Sequence, residues 1–285
     1  MRVEIDPKSG FCFGVVRAIG EAERALSEGG VVYSLGDIVH NRIEVLRLES
    51  LGLKSISCSE LSEVRQTQIL IRAHGEPPST YAKAKALNLE VIDATCPVVA
   101  KLQERVKEGY NKMQNIGGQV VLLGKKGHAE VVGLTGQVDD DVLVIEKIGD
   151  IEAIDFLRPI FFISQTTQSI SLFEALAGEI EKRIYDREQL FVHDTICRQV
   201  SSREDHLREF VQRFDIVIFV CGRKSSNGKV LFEVCREANA STYNIEEASE
   251  IDLEWFVGAS SVGICGATST PAWLMADVAK AIERL

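Results

Sequence analysis

Three cysteines occupy matching contexts in the chain: Cys12 in "VEIDPKSGFCFGVV", Cys96 in "VIDATCPVVAKL" and Cys197 in "LFVHDTICRQVSS". Each falls where an apolar, strand-like run gives way to an amphipathic, helix-like one, with spacings of 84 and 101 residues. A sulfur near a helix N-terminus sits in partial positive charge, which favours thiolate, the form that binds metal. Three readings are open for such a set. The cysteines could be packing residues at strand ends. They could bind structural zinc, but that site wants four protein ligands, usually in close pairs, and the chain has no CxxC. They could hold a [4Fe–4S] cluster, which usually takes four cysteines. With three, one iron is left open to water or substrate, and the cluster becomes a Lewis acid as well as an electron carrier. Repetition of one context three times favours metal. The other cysteines differ: Cys58 lies in a polar loop, Cys235 in a helical stretch, and Cys221 and Cys265 at the ends of apolar strands. These four read as packing residues, with Cys221 and Cys265 close to the site.

Two polar strand ends follow each cysteine at similar distances. His40 ("IVHN") and His74 ("IRAHGE") come 28 and 62 residues after Cys12. His128 ("LLGKKGHAE") and Thr166 ("FISQTTQ") come 32 and 70 residues after Cys96. Ser225 ("FVCGRKSSNGK") and Ser269 ("ICGATSTP") come 28 and 72 residues after Cys197. The order cysteine, helix, polar tip, polar tip is a structural repeat with little residue identity behind it. Parallel α/β sheets bind ligands beyond the carboxyl ends of their strands. Three units about a pseudo-threefold axis would bring the cysteines and all six tips together.

The tips are rich in hydrogen-bond donors. His40, His74, His128, Ser225, Ser226, Asn227 and Ser269 suit a multiply charged oxyanion such as a diphosphate, each bond contributing roughly 1.5–3 kcal/mol. Glu130, two residues after His128, is read as the one carboxylate among them and as a proton donor. Its alternative is an exposed first-turn glutamate answering the helix dipole. "CGRKSSNGK" is not a P-loop, because five residues separate Gly222 from Gly228 and Val230 stands where Ser or Thr belongs. His193 and His206 fall outside the pattern and read as structural.

The elements that must carry these tips alternate along the whole chain. Strands are predicted over Val31–Leu35, Ile69–Arg72, Glu90–Asp93, Gln119–Leu123, Val142–Ile145, Ile160–Ser164, Leu190–His193, Asp215–Cys221 and Val262–Cys265. Helices follow most of them, for example over Val98–Gln114, Ile170–Tyr185 and Val200–Arg213. A last helix is signalled by Thr270 as N-cap with Pro271 in its first position. The alternation predicts an α/β fold of mainly parallel sheets. Three α/β units are expected: 14–96 with Cys12 at its opening, 97–193, and 194–285 joined by an N-terminal strand within 1–13.

Composition limits the function. Of 285 residues, 45% are hydrophobic and 26% charged, as in ordinary globular proteins. The formal net charge of −10 disfavours nucleic acid and anionic membrane as partners. It leaves anionic small molecules open, since backbone amides, imidazoles and hydroxyls bind phosphate locally. No apolar run approaches the ~20 residues of a membrane span, and "MRVEIDPKSG" lacks the pattern of a signal peptide. A cytoplasmic location with reduced cysteines is the expectation.

The motifs "GFCFGV", "VHN", "AHG", "DATCP", "GHAEVVG", "SQTTQS", "SSN" and "GATSTP" occur in order over essentially the whole chain. Together they closely resemble the LytB/IspH family of 4-hydroxy-3-methylbut-2-enyl diphosphate reductases. The resemblance implies reductive conversion of that allylic diphosphate to isopentenyl and dimethylallyl diphosphate, the last step of the methylerythritol phosphate route. It implies an oxygen-sensitive [4Fe–4S] cluster on Cys12, Cys96 and Cys197, within three pseudo-threefold-related α/β units. His40, His74, His128, Ser225, Asn227 and Ser269 match the diphosphate-binding set, with Ser226 and Thr268 as neighbours. Glu130 matches the proton-relay acid, and Thr166 the threonine near the substrate hydroxyl, with Thr167 beside it. Reduced ferredoxin or flavodoxin is the implied electron donor. "HAE" stands where many members have "HPE", and "GATSTP" where "GASxP"-like forms are frequent. Two readings from other classes compete with the reductase: an iron–sulfur hydratase or dehydratase without net redox, and a metal-free binding module for phosphorylated ligands.

Overall fold

The computed structural model describes residues 1–65 and 67–285, apart from the side chains of Val200 and Ser201. In chain order the first elements are β1 (Arg2–Ile5), α1 (Phe13–Ser27), β2 (Val32–Leu35), α2 (Arg42–Ser50), β3 (Leu53–Ile56), β4 (Gln68–Ile71), α3 (Pro78–Ala86) and β5 (Glu90–Asp93). Then come α4 (Pro97–Ile116), β6 (Gln119–Leu123), α5 (Ala129–Thr135), β7 (Leu143–Ile145), β8 (Ile160–Ser164), α6 (Ile170–Arg183) and β9 (Leu190–Val192). The last are α7 (Arg198–Ser201), α8 (Arg203–Val211), β10 (Ile216–Val220), α9 (Ser226–Ala238), β11 (Thr242–Ile245), β12 (Ser261–Gly266) and α10 (Ala272–Glu283). The strands form three four-stranded sheets, which bears out the expected α/β class.

By its internal contacts the chain divides into two compact units, Met1–Ser55 with Arg198–Leu285, and Ile56–Cys197. The first unit contains a sheet of order β1-β12-β10-β11, parallel throughout. The second contains a parallel sheet of order β7-β6-β8-β9. Also within the second unit, β4 and β5 pair in parallel.

The central strands are apolar on both faces because both faces are covered. Along β10, Ile216, Ile218 and Val220 enter one core with Leu274, Met275, Val278 and Ile282 of α10. Val217 and Phe219 enter the opposite core with Leu207, Phe210 and Val211 of α8 and Leu231 of α9. Strand β6 alternates in the same way, Val121 and Leu123 against α6, Val120 and Leu122 against α4 and α5. This is the pattern of a parallel sheet between helices, where a strand reads as a continuous apolar run. The helix ends are marked locally. Pro97 opens α4, and Gly117 ends it at φ +68°, a left-handed conformation that glycine adopts without steric cost.

Several details differ from the sequence reading. The segment expected as one helix over Val200–Arg213 is two, α7 and α8, separated at Ser202. The predicted start at Val200 lies inside α7, and its side chain is outside the described residues. Pro271, not Thr270, is the N-cap of α10. Thr270 is instead fully buried and donates its hydroxyl to the Val220 carbonyl at 2.6 Å. The short strands β3 ("LKSI") and β11 ("TYNI") were not expected, being half polar and only four residues long.

Candidate active site

Each of the three cysteines stands at the head of a helix, fixed there by main chain. Cys12 is the N-cap of α1 in extended conformation, and its carbonyl accepts from Val16 N at 3.0 Å. Cys96 is the N-cap of α4, and its carbonyl accepts from Ala100 N at 2.9 Å. Cys197 immediately precedes α7. The backbone N–H of each donates to the carbonyl of a tip segment: Cys12 to Thr268 at 3.1 Å, Cys96 to Ala73 at 3.0 Å and Cys197 to Thr166 at 2.8 Å. The repeat read from spacing is therefore also a repeat of one hydrogen bond. None of the three cysteines is in a disulfide, and all are of intermediate exposure. Cys221, Cys235 and Cys265 are buried in a core of the first unit, where burial pushes the Cys221 thiol up to about 11. Cys58 is exposed and donates to Glu76 Oε2 at 3.5 Å.

In the first unit the β10 and β12 tips are joined by side chains. Ser225 is the N-cap of α9, its hydroxyl oxygen accepting from Gly228 N at 3.0 Å. Ser269 Oγ donates to Ser225 Oγ at 3.0 Å. Thr268 donates twice to Asn227 Oδ1, from its hydroxyl at 2.9 Å and its N–H at 3.3 Å. With that oxygen committed as acceptor, the Asn227 amide is oriented as a donor elsewhere, which is what binding an anion requires. Asn227, Thr268, Ser225 and Ser269 are all buried, and Ser226 partly so. His40 precedes Asn41, the N-cap of α2. Gly222 packs so closely on this turn that a Cβ there would collide with the His40 carbonyl oxygen. A cleft of about 440 Å³ opens beside it, lined by His40, Asn41, Arg42, Gly222, Arg223 and Lys224 among others.

In the second unit His128 is the N-cap of α5, its Nδ1 accepting from Glu130 N at 3.1 Å. That bond requires a bare Nδ1, so the neighbouring Gln165 Nε2, also 3.1 Å away, is a donor to it. The rings of His74 and His128 meet edge to face, centroids 5.3 Å apart. Glu130 is only 1% exposed, which removes the reading of a solvated helix-start residue. Its carboxylate accepts from Thr166 N at 2.7 Å and from Thr166 Oγ1 at 2.9 Å. Burial pushes the Glu130 carboxyl up from 4.5 to about 7, against the opposing hydrogen bonds from Thr166 and Gln165. A carboxyl poised there can both hold and release a proton at neutral pH. Thr167 accepts from Gln165 Nε2 at 3.0 Å, and Gln165 Oε1 accepts from Lys125 N at 3.0 Å. Gln165 thus braces His128, Thr167 and the β6–α5 loop. Sequence reasoning gave it no role, although it lies inside "SQTTQS".

Glu130 is not the one carboxylate near a tip. Glu44, 1% exposed, lies in the first turn of α2, and Glu76, 6% exposed, is two residues after His74. Glu44 is engaged by Arg47 at 2.6 and 3.0 Å and by Trp273 Nε1 at 2.9 Å. Glu76 accepts from Thr80 Oγ1 at 3.2 Å. Glu44 is held as an ion pair, whereas the groups bonded to the Glu130 carboxylate are neutral, which is why burial dominates its protonation.

The family model described as LytB protein matches residues 3–283. A Parabacteroides distasonis protein named 4-hydroxy-3-methylbut-2-enyl diphosphate reductase is 52% identical, over 100% of this chain and 98% of its own. One of the same name from Bacteroides fragilis is 48% identical over 99% and 98%. A solved structure of (E)-4-hydroxy-3-methyl-but-2-enyl diphosphate reductase, described as the terminal enzyme of the non-mevalonate pathway, is similar at TM-score 0.75 and 36% identity, with 100% of both chains covered. The Plasmodium falciparum reductase structure, at TM-score 0.84 and 24% identity over 100% of this chain and 87% of its own, shares the fold.

Proposed function

Because this chain belongs to the LytB family, we propose that it reduces 4-hydroxy-3-methylbut-2-enyl diphosphate to isopentenyl and dimethylallyl diphosphate. The reaction breaks the allylic C–O bond and forms a C–H bond at either end of the allylic system. Two electrons and two protons enter, and the hydroxyl leaves as water. A [4Fe–4S] cluster on Cys12, Cys96 and Cys197, with one iron lacking a protein ligand, would supply the electrons singly and a Lewis-acidic point for the hydroxyl. Three cysteines outside any disulfide, each partly exposed and each heading a helix, support that donor set. Reduced ferredoxin or flavodoxin would be the electron donor. Among the described residues no helix is long and apolar enough to cross a membrane. A place in the cytoplasm, where thiols stay reduced, is part of this reading.

The chain's own residues bind, orient and protonate. His40, His74, His128, Ser225, Asn227 and Ser269 hold the diphosphate, with Ser226, Thr167 and Thr268 beside them. The Asn227 orientation set by Thr268 supports this role. Glu130 gives up a proton and Thr166 relays it to the departing hydroxyl. The observation that carries the reading is the buried Glu130 carboxyl, poised near neutrality and bonded twice by Thr166. The test is turnover by anaerobically purified protein, with a reduced viologen as donor and the allylic diphosphate as substrate. Viologen oxidation accompanied by both products is expected. Dehydration without consumption of reductant would replace this reading with a hydratase or dehydratase.

A further inference from the structure

A buried carboxyl group lies six residues before Cys12, within the first unit and outside the machinery above. Asp6, just past β1, is 1% exposed. Its carboxylate accepts from Lys8 N at 3.1 Å and Ser9 Oγ at 2.6 Å, and His206 Nε2 stands 2.6 Å away. Ser9 Oγ in turn accepts from Gly266 N at 3.0 Å, and six residues after Asp6 the Cys12 N–H is tied to Thr268. The loop that carries Cys12 is thus pinned at three points. Helix α8 lies over it, with Arg203 and His206 one turn apart on a shared face. Arg203 keeps Nη1 buried with no hydrogen-bond partner among the described residues. Both Asp6 and Cys12 are close enough to favour its charged form, against the burial that opposes it.

A buried donor atom left unsatisfied is costly, so a folded protein that keeps one holds room for an acceptor. We propose that Arg203 is a positioning and tuning residue for the iron–sulfur site. Its free N–H is reserved for a sulfur at the Cys12 corner, and its fixed charge raises the reduction potential there. This rests on the cluster reading given above. Net charge and hydrogen bonds to sulfur are the main levers on such potentials. Adding an electron makes the site more negative, so a fixed cation stabilises the reduced form.

The test is a reductive titration of anaerobic, iron-loaded protein, followed by its visible band and by the paramagnetic signal of the reduced state. Arg203→Gln should lower the equilibrium constant for reduction about tenfold, about 59 mV for a one-electron couple. Arg203→Lys, which keeps the charge, should titrate within about threefold of the unmodified protein, a shift under about 30 mV. A Gln variant that holds the cluster and titrates unchanged overturns the proposal, as does a Lys variant that titrates like a shifted Gln variant. If Arg203→Gln loses the cluster on purification, a Lys variant that retains it at the unmodified midpoint supports the role. Loss in both variants overturns it. Unmodified protein with no visible band, iron or sulfide defeats the cluster reading and this proposal with it. An unshifted Gln variant defeats this proposal alone.

Discussion

Thr166 binds Glu130 from two sides of one residue, donating its backbone N–H to Oε1 at 2.7 Å and its hydroxyl to Oε2 at 2.9 Å. The same residue's carbonyl accepts from the Cys197 N–H at 2.8 Å. One threonine therefore links a buried acid to a candidate metal ligand. The hydroxyl is the part that can pass a proton, while the N–H only holds the carboxylate still.

Glu130→Gln keeps the shape and most of the hydrogen bonding but has no proton to give. Substrate affinity and the visible band should be retained, while turnover falls by about 10²–10⁴. In unmodified protein, turnover should decline as pH rises through about 7, where the carboxyl loses its proton. The residual rate of the Gln variant should lack that step. Activity within about threefold of the unmodified protein would remove Glu130 from the mechanism.

The same carboxyl makes a stability prediction. Its folded-state value is raised from 4.5 to about 7, so the fold favours the neutral form. The stability it contributes is complete below pH 4.5 and is lost as pH rises through about 7, by about 3 kcal/mol. Urea denaturation of unmodified protein and Glu130→Gln across that range should show the difference between them changing by that amount. A difference independent of pH would mean that the group is not buried as described.

Anaerobic preparations should absorb broadly near ~400 nm, as iron–sulfur proteins do. Serine at Cys12, Cys96 or Cys197 should bleach the band. Cys58→Ser, at an exposed thiol, should leave it intact, as should Cys235→Ser, at a thiol buried in the core. A fully coloured Cys96→Ser protein defeats the ligand assignment. Air should inactivate the enzyme, because an iron without a protein ligand is the most easily lost.

Diphosphate affinity should depend on donors one at a time. Asn227→Ala removes the amide that Thr268 orients, and His40→Ala removes an imidazole next to the α2 cap. Each should weaken binding by roughly 1.5–3 kcal/mol while the visible band survives. Calorimetry with the diphosphate substrate reads this directly. Several such variants binding like the unmodified protein would put the pocket elsewhere.

Much of this arrangement could be read from the sequence because it is local. Apolar runs between Gly- and polar-rich tips marked β6, β8 and β10, and their double-sided burial follows from helices on both faces. The helix starts at Cys12 and Cys96 were visible for the same reason. What could not be read depends on contacts distant in sequence. The place of Glu130 after His128 points to a proton donor, but nothing local shows the burial that Thr166, 36 residues on, completes. Glu44 gives no sign of burial until Trp273, 229 residues away, reaches it. Thr270 looked like a cap because Ser and Thr favour that position, but the Val220 carbonyl took its hydroxyl. The Asp6–His206 pair spans 200 residues and has no local signature.

The bond from each cysteine N–H ends on a carbonyl, and every residue type carries a carbonyl. The three acceptors are Ala73, Thr166 and Thr268, and nothing in the anchor asks any of them for a particular side chain. Drift at these positions costs the anchor nothing, so each is free to serve its own corner: one as an inert methyl, one holding an acid, one turning an amide. Descent from a common ancestral unit could then persist in the wiring of the backbone long after it had faded from the letters of the sequence.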